Sequence, residues 1–326
     1  MKGHPRFLVL RGGAIGDFVL TLPVLQALRE QWPDSHIEVA GYPHIAILAQ
    51  AGGWADRIVS LHSAHFARFY SLRPALGEEL AGYVRSFDLV VSFLHDTDGV
   101  VRRNLLSTGV RQVLYASPVG PTIHASDHLI KPLESLAIYA AGTIPRLTLP
   151  ETDRATGRAR LASLGLSGRT LALHPGSGSA EKNWPARHFH ALAGAAADRG
   201  WSPFFIFGEA DEAVAAALRM LDERLPVIEG LELIETAGVL AVADGFVGND
   251  SGITHLAAAL GRPTVALFGP TDPAVWGPRG SCVRVLRAPD GRLAGILPPA
   301  VLDALISVAP PEPPPAASPA RPPPAP

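Results

Sequence analysis

Short runs of apolar residues alternate along the chain with longer stretches of helical periodicity. The first run, Phe7 to Leu10, ends in a glycine-rich turn, and Phe18 to Glu30 then carries apolar residues at helical spacing. Further predicted strands of the first half are Ile37 to Ala40, Arg57 to Leu61, Asp88 to Leu94 and Gln112 to Tyr115. The segments between them are long enough for helices, which predicts parallel pairing through strand-helix-strand crossovers.

The same alternation begins again at Thr170, after a polar, Arg-rich connection (residues 146–168) that we expect to carry a helix. The second set is predicted as strands Thr170 to His174, Phe204 to Phe207, Val227 to Ile228, Gly245 to Gly248 and Thr264 to Phe268, and helices Ala186 to Arg199, Glu212 to Leu221, Leu233 to Val242, Ile253 to Leu260 and Ala300 to Val308. This pattern predicts two α/β domains, residues 1–150 and 151–308. Proline density in residues 309–326 excludes a helix or central strand and predicts a disordered tail.

Composition narrows the class of protein. A hydrophobic content of 47% in 326 residues can fill two cores, and 28 basic against 30 acidic residues give no electrostatic case for nucleic acid as a partner. Cys282 is the single cysteine, so no internal disulfide can form and a cytoplasmic setting is expected. No apolar run reaches the roughly 18 residues of a membrane span, so we expect any membrane contact to be peripheral.

The polar turn Asn249 to Gly252 lies between a predicted strand and a predicted helix. In open α/β sheets ligands bind outside the carboxyl ends of strands, which places Asp250, Ser251, Gly252 and His255 where a ligand is expected. The backbone N–H groups of Ser251 and Gly252 would open the helix, and a helix N-terminus attracts phosphate. The turn is therefore a predicted anion-binding loop, although a structural buried histidine is an alternative for His255.

Asp17 begins the helix that follows the first glycine turn, whose glycines do not have dinucleotide-fingerprint spacing. It can be read as a helix cap or as a general base at the mouth of a cleft. The positive end of the helix favours the ionised carboxylate, which can accept a proton at neutral pH.

Two other strand ends carry candidate donor groups. The Gly/Ser loop after His174, with Ser177 and Lys182, can hold phosphate through N–H groups and a cation, but it lacks the residues of a Walker A motif. A flexible loop with a surface lysine is the alternative. Glu209 follows the next strand and can accept hydrogen bonds from ribose hydroxyls, whereas Asp211 and Glu212 are expected to favour the following helix. The histidine pairs at 62 and 65, 124 and 128, and 188 and 190 lack an acid partner in sequence and are interpreted as solvated.

Four segments together resemble the ADP-heptose:lipopolysaccharide heptosyltransferase family, glycosyltransferase family 9. They are RGGAIGDFVLTLPVLQALRE, LALHPGSGSAEKNWPARHFHALA, FGEADE and VADGFVGNDSGITHLAAALGRPTVALFGPTDP. The resemblance implies a GT-B fold of two Rossmann-like domains facing across a cleft, with the acceptor on the first domain and the nucleotide-sugar on the second. It also implies transfer of heptose, or a related sugar, from an ADP-sugar to a lipopolysaccharide core or other surface glycan.

The resemblance assigns roles residue by residue. Asp17 matches the proposed base of an inverting, metal-independent reaction, Lys182 the lysine at the donor phosphates, and Glu209 the acid at the ribose. The Asp250, Ser251, Gly252 and His255 positions match the loop at the donor diphosphate and sugar. No cofactor is implied.

Several alternatives stay open. The segment Ser92 to Gly99 departs from the family pattern, so the acceptor pocket is expected to differ. The protein can be a transferase with another nucleotide-sugar donor, or a non-catalytic nucleotide-sugar-binding protein. A nicotinamide-dependent oxidoreductase is suggested by the alternation alone. Arg11, Arg102 and Arg103 are candidates for an anionic acceptor, with solvated arginine as the favoured interpretation.

Overall fold

The computed structural model describes residues 4–73, 75–118, 120, 122–140, 142–166 and 168–309. The strands are β1 (Arg6–Leu10), β2 (His36–Gly41), β3 (Arg57–Ser60), β4 (Leu89–Ser92), β5 (Val113–Tyr115), β6 (Arg169–His174), β7 (Trp201–Phe207), β8 (Val227–Glu229), β9 (Gly245–Asn249), β10 (Thr264–Phe268) and β11 (Val283–Arg287). The predicted strands are all confirmed to within a few residues. β11 was not predicted, because its alternating apolar and arginine residues belong to a half-buried sheet edge rather than to a continuous apolar run.

The helices are α1 (Ile15–Val19), α2 (Leu22–Gln31), α3 (Pro43–Ala51), α4 (Ala64–Ala67), α5 (Gly77–Arg85), α6 (Val100–Ser107), α7 (Ala125–Ile130), α8 (Glu151–Ser163), α9 (Ala186–Ala197), α10 (Glu212–Leu221), α11 (Leu233–Val242), α12 (Gly252–Ala259), α13 (Pro273–Trp276) and α14 (Pro298–Val308). The prediction of one helix over Phe18 to Glu30 was wrong. Pro23 has no N–H to donate to the preceding turn, so the chain forms α1 and α2 as separate helices. None of the helices among the described residues is long and apolar enough to span a membrane.

The strands form two parallel sheets. The first has the order β3-β2-β1-β4-β5, and the second, read from its other edge, has the order β8-β7-β6-β9-β10-β11. Both follow the Rossmann arrangement, in which the strand order reverses between the first and fourth strands of the set. The predicted pair of Rossmann-like sheets is confirmed, and each sheet has a switch point where a ligand crevice is expected.

The two halves are in direct contact at several points. α1 packs against α12, and the N–H of Leu147 donates to the carbonyl of Ala259 at 2.8 Å. Asp127 in the first half forms two hydrogen bonds with the guanidinium of Arg279, of 2.9 and 2.8 Å. α8, from the predicted connection, packs along α11. The proposed domain limits stay a prediction, and residues 310–326 of the predicted tail lie outside the described residues.

Candidate functional site

The switch points of the two sheets face each other across a cleft. β1 leads into the turn that carries Asp17, while β6 and β9 lead into the loops that carry Lys182 and Asp250. The cleft consists of three cavities of about 480, 280 and 420 Å³. After the ligands that the family resemblance leads us to expect, we call them the acceptor-side, central and nucleoside-side cavities. Asp17 and Trp276 line the first two, and Ser251 and Gly252 line the last two, so the cavities adjoin in that order.

Asp17 sits in the central cavity with its carboxylate partly fixed. Its Oδ2 accepts the backbone N–H of Ala14 at 3.0 Å, so the predicted cap is present. Its Oδ1 lies 3.4 Å from a guanidinium nitrogen of Arg11, and the side chain keeps 34% exposure. Gly13 has a φ of +96°, and a Cβ there would come within 2.7 Å of Asp17 Oδ2. A glycine is therefore required both by the turn and by the position of the carboxylate.

Arg11 is not the solvated arginine that the sequence suggested. It is only 3% exposed, and its guanidinium also donates to the carbonyl of Asp17 at 3.0 Å. Burial lowers the pKa of Arg11, while the charge of Asp17 acts in the opposite direction. The buried Arg11 thus fixes the start of α1 and the carboxylate of Asp17.

Lys182 and Asp250 meet from different loops of the second sheet. The Lys182 ammonium donates to Asp250 Oδ2 at 2.7 Å, and Asp250 is nearly buried whereas Lys182 keeps 32% exposure. Both line the central cavity together with Asp17. The flexible-loop alternative for Lys182 is therefore wrong, because an ion pair holds the lysine at the cleft.

The N-terminus of α12 points into the central and nucleoside-side cavities. Ser251 is its N-cap, and its Oγ accepts the N–H of Thr254 at 3.4 Å. A Cβ on Gly252 would come within 2.6 Å of Ile15 Cβ and 2.8 Å of the Gly16 nitrogen. The positive ends of α1 and α12 thus approach each other. The backbone N–H groups in the first turn of α12, which have no carbonyl partner within the helix, lie beside the cavity.

His255 lies one turn into α12 and is 6% exposed. Burial is the main reason that its pKa is lowered to about 4. The nearby carboxylates of Asp250 and Asp17 act against this effect, whereas His124 and Lys182 add to it. The imidazole is neutral near pH 7, so it can offer a hydrogen bond to a ligand but not a positive charge.

The remaining predicted residues, Ser177 and Glu209, line the nucleoside-side cavity. Ser177 Oγ lies 2.6 Å from Asn183 Oδ1 and closes the loop after β6 on itself. Glu209 is exposed in a short 3-10 turn after β7. Apolar side chains line the same cavity, including Ile206, Leu231 and Ile253. The structure therefore brings every predicted site residue to one continuous cleft.

Sequence reasoning missed one buried residue at this cleft and the partner of another. His174, the last residue of β6, donates or accepts at both ring nitrogens, with Nε2 3.2 Å from Asp211 Oδ2 and Nδ1 3.4 Å from Ser251 Oγ. Asp211 also accepts the N–H of Gly208 at 2.8 Å. Asp211 is at the N-cap of α10, where a carboxylate was expected to favour the helix dipole, and it contacts His174 in addition. The sequence did offer a signal for His174, because it is a polar residue at the end of an otherwise apolar strand.

A second polar residue at a strand end was also missed. Asn249, fully buried at the end of β9, accepts the N–H of Trp184 at 3.0 Å and donates to the carbonyl of Pro175 at 2.7 Å. Its side chain ties the loop after β6 to the loop after β9. This contact explains why the Lys182 loop keeps a fixed path beside Asp250.

The acceptor-side cavity is rich in aromatic side chains. Its lining includes Tyr42, Tyr70, Phe93 and Trp276, with Arg11 beneath. Tyr42 stacks on His62 at 4.8 Å between ring centroids, and His62 is exposed, as the sequence suggested. Aromatic faces beside polar groups suit the apolar CH face of a sugar ring.

Several polar residues outside the central cavity have structural partners. Asp96 and Asp98 have Asp-x-Asp spacing, but the Asp96 carboxylate accepts the N–H groups of Val101 and Arg102 at 2.8 Å and so caps α6. His124 is 5% exposed and contacts the Gly277 carbonyl at 2.8 Å, so its interpretation as solvated was wrong. Within the part of the chain that the structure describes, there is no group of three or more metal-ligating side chains.

The geometry combines a carboxylate with open lone pairs, a cation and a helix N-terminus around one cavity. Such a set can accept a proton from a hydroxyl on one side and stabilise a negative leaving group on the other. The flanking cavities offer room for two separate ligands.

Comparisons of the sequence and of the structure with known proteins point to the same family. The family model of glycosyltransferase family 9 (heptosyltransferase) matches residues 124–294. Lipopolysaccharide heptosyltransferase 1 of Escherichia coli is 25% identical over 329 residues, which cover 93% of this chain and all of the relative. A glycosyltransferase family 9 structure from Veillonella parvula has a TM-score of 0.79 and 22% identity, covering 94% of this chain and 98% of that one. E. coli heptosyltransferase WaaC, solved with ADP, has a TM-score of 0.69 and 22% identity, covering 93% of this chain and all of WaaC. The likeness to these structures confirms the predicted GT-B fold.

Proposed function

Because the chain belongs to glycosyltransferase family 9, the heptosyltransferases, and is a glycosyltransferase, we propose that it transfers heptose from ADP-heptose to the core of lipopolysaccharide. The observation that carries the proposal is the central cavity, where Asp17 of one sheet faces Lys182 and the start of α12 of the other. The names of the E. coli relatives, a lipopolysaccharide heptosyltransferase and a heptosyltransferase solved with ADP, support the acceptor and the nucleotide.

The proposed reaction inverts the anomeric centre. Asp17 accepts the proton of an acceptor hydroxyl while the hydroxyl oxygen forms a bond to the anomeric carbon of the donor. The bond from that carbon to the diphosphate oxygen breaks on the opposite face, and ADP leaves with the electron pair. The hydrogen bond from Ala14 and the ion pair with Arg11 leave part of the Asp17 carboxylate open to the acceptor.

Negative charge grows on the diphosphate as ADP leaves. Lys182 and the N–H groups at the start of α12 lie on the same side of the cavity, where they would stabilise this charge without a metal ion. Asp250 holds the Lys182 ammonium in the free protein at 2.7 Å. The donor diphosphate would then share this lysine with Asp250. The neutral His255 would donate a hydrogen bond to the diphosphate or the sugar.

The nucleoside is proposed to occupy the nucleoside-side cavity. Ile206, Leu231 and Ile253 give it apolar walls that suit the flat face of a base, and Glu209 at its rim can accept the ribose hydroxyls. The acceptor sugar is proposed to lie in the acceptor-side cavity against Tyr42 and Trp276. Asp17 lies where these two ligands would meet.

A peripheral contact with the inner face of the cytoplasmic membrane fits a lipid-linked acceptor. Tyr70 borders the acceptor-side cavity, and Tyr70 and Leu72 are 53% and 76% exposed. Arg68 and Arg73 flank them in sequence and are also exposed. Vesicles with anionic lipids should therefore sediment more of the protein than neutral vesicles, and equal sedimentation would contradict this contact.

Thermal unfolding with a nucleotide panel tests the proposed donor. A ligand that binds only the folded state raises its stability, so ADP should raise the unfolding temperature more than UDP, GDP, CDP or NAD at equal concentration. A response to UDP or GDP alone would point to another nucleotide-sugar donor. Stabilisation by NAD alone would contradict the transferase. Binding of ADP-heptose without transfer to any lipopolysaccharide acceptor would favour a non-catalytic binding protein.

A further inference from the structure

His174 and Asp211 form a buried pair that the proposed reaction leaves without a role. They are 4% and 6% exposed, and the His174 Nε2 lies 3.2 Å from Asp211 Oδ2. A Cβ on Gly176 would come within 1.7 Å of Asp211 Oδ1, so the loop after β6 passes directly against this carboxylate. Both residues line the nucleoside-side cavity beside Ser251. Such a built-in ionisable pair at a ligand cavity needs an explanation beyond packing.

The protonation of His174 decides whether the Ser251 hydroxyl can point toward it. Asp211 accepts the Nε2–H, so in a neutral imidazole Nδ1 carries a lone pair and can accept a hydrogen bond from the Ser251 hydroxyl across 3.4 Å. In an imidazolium, Nδ1–H instead donates to Ser251 Oγ, which also accepts the N–H of Thr254. The hydroxyl proton of Ser251 is then left to Thr254 Oγ1, 3.2 Å away, or to an acceptor in the cavity.

The surroundings favour the imidazolium when an anion is bound. Burial raises the pKa of Asp211, but the hydrogen bond and charge of His174 outweigh it and leave this pKa lowered. An ionised Asp211 and a bound diphosphate would both attract a positive charge on His174. Other charged or titratable groups line these cavities. They are Glu209 beside Asp211, Asp250 and His255 after β9, Lys182 in the loop after β6, and Asp17 of α1.

We infer that His174 and Asp211 are positioning residues that turn the Ser251 hydroxyl toward the donor diphosphate, so that donor binding takes up a proton on His174. The inference rests on the proposed function, because it needs a diphosphate at the start of α12. Linkage fixes the sign of the effect. Since the bound state holds more protons, donor affinity falls as pH rises wherever binding takes up a proton.

Isothermal titration calorimetry with ADP-heptose, in the absence of acceptor, tests the inference. Its diphosphate is a diester that does not titrate near neutral pH, so protons exchanged with the buffer come from the protein. Titrations in two buffers of different ionisation enthalpy should show net proton uptake by the wild-type protein. Affinity should fall as pH rises, by at most about tenfold per pH unit for the uptake of one proton.

Variants show which side chain takes up the proton when the donor binds. His174→Gln keeps a group that can donate to Asp211 but cannot become charged, and it should lose the uptake and flatten the pH dependence. Asp211→Asn should do the same, and it serves as the second test if His174→Gln does not fold. His65→Gln, at an exposed histidine outside the cleft, should retain the uptake. His255→Gln should bind more weakly and still take up the proton.

The outcomes separate this inference from the proposed function. Binding of ADP-heptose with no proton uptake overturns the role of His174 and leaves the proposed donor standing. Uptake that survives in His174→Gln and Asp211→Asn but disappears in His255→Gln assigns the proton to His255 and also overturns the inference. No binding of ADP-heptose at all contradicts the proposed donor, and the inference falls with it.

Discussion

The carboxylate of Asp17 both caps the short helix α1 and faces the central cavity. One oxygen accepts the Ala14 N–H while the Arg11 guanidinium lies 3.4 Å from the other. These contacts orient the carboxylate without removing its remaining lone pairs. A side chain so constrained can meet an acceptor hydroxyl in a fixed geometry.

Asp17→Asn should abolish most of the transfer activity and leave donor affinity within a few-fold. The amide oxygen can still accept the Ala14 N–H, so the start of α1 is kept while the base is lost. General-base groups contribute about a hundredfold to ten-thousandfold, and kcat should fall by that amount. Asp34→Asn, at an exposed carboxylate outside the cleft, is the matched control. Unchanged turnover in Asp17→Asn would remove Asp17 as the base.

Lys182→Ala should weaken the binding of ADP by about ten- to a hundredfold, because a charge-assisted hydrogen bond contributes roughly 1.5–3 kcal/mol. The variant also leaves Asp250, 9% exposed, as an uncompensated carboxylate beside the diphosphate. Calorimetric titration with ADP measures the loss. Lys131→Ala, at an exposed lysine elsewhere in the chain, should bind ADP as the wild type does. An unaltered affinity in Lys182→Ala would contradict its role at the phosphates.

Sequence reasoning predicted which residues line the cleft better than it predicted their partners. Asp17, Lys182 and Asp250 follow predicted strands, so the rule that ligands lie at strand ends made them candidates, and the family resemblance supplied their proposed roles. The ion pair between Lys182 and Asp250 joins positions that are 68 residues apart in the sequence. Patterns of neighbouring residues cannot predict a contact over such a separation. The burial of Arg11 and the partner of His174 depend in the same way on three-dimensional packing.

At the scale of elements, the close approach of α1 and α12 determines the shape of the cleft. Ile15 and Gly16 of α1 lie against Gly252, so the only side chain that fits at the start of α12 is a hydrogen atom. This contact sets the separation between the proposed base and the helix proposed to bind the diphosphate. It joins two segments that the sequence presents as unrelated strand-helix turns.

Gly252→Ala should force these helices apart. A Cβ at 2.6 Å from the Ile15 Cβ is overpacked, and such insertions cost about 1–3 kcal/mol. We expect at least a tenfold lower kcat/KM and a lower unfolding temperature. Gly194→Ala is the control, because nothing lies within 4 Å of its added Cβ and the change should stabilise α9 by about 0.5–1 kcal/mol. Full activity and unchanged stability of Gly252→Ala would contradict the proposed role of this contact.

The pattern of elements was predicted more completely than their limits. Continuous apolar runs identified β6, β9 and β10 because these strands are buried on both faces. The edge strand β11 alternates and escaped prediction, and Pro23 divided a helix that periodicity alone joined. Local exceptions to the periodic pattern thus arise where burial is one-sided or where the backbone lacks a donor.

For the whole molecule, the ion pair between Asp127 and Arg279 links the two halves of the chain. Burial would raise the pKa of Asp127, but hydrogen bonds from Arg279 and Thr143 outweigh it and lower this pKa to about 2. The carboxylate therefore stabilises the folded state above its ordinary pKa of 3.8, and this stabilisation is lost as pH falls from about 4 toward 2. The lowered pKa of Asp127 corresponds to a contribution of roughly 2 kcal/mol to the free energy of unfolding.

Asp127→Asn should accordingly be less stable at neutral pH and lose less stability than the wild type between about pH 4 and 2. Urea unfolding across this range measures the free energy of unfolding of both proteins. Asp34→Asn, with an exposed carboxylate, should follow the wild-type curve. An Asp127→Asn protein with the wild-type pH dependence would show that the pair does not couple the halves.

We propose that one cleft between two Rossmann-like sheets carries out inverting heptosyl transfer. Incubation of the purified protein with ADP-heptose and lipopolysaccharide lacking core heptose, with a metal chelator present, tests this proposal. Mass spectrometry measures the transfer, and nuclear magnetic resonance gives the anomeric configuration of the product. We predict the gain of heptose, with a configuration opposite to that of the donor and no loss of rate from the chelator. Retention of configuration, or no transfer from a donor that binds, would contradict the proposal.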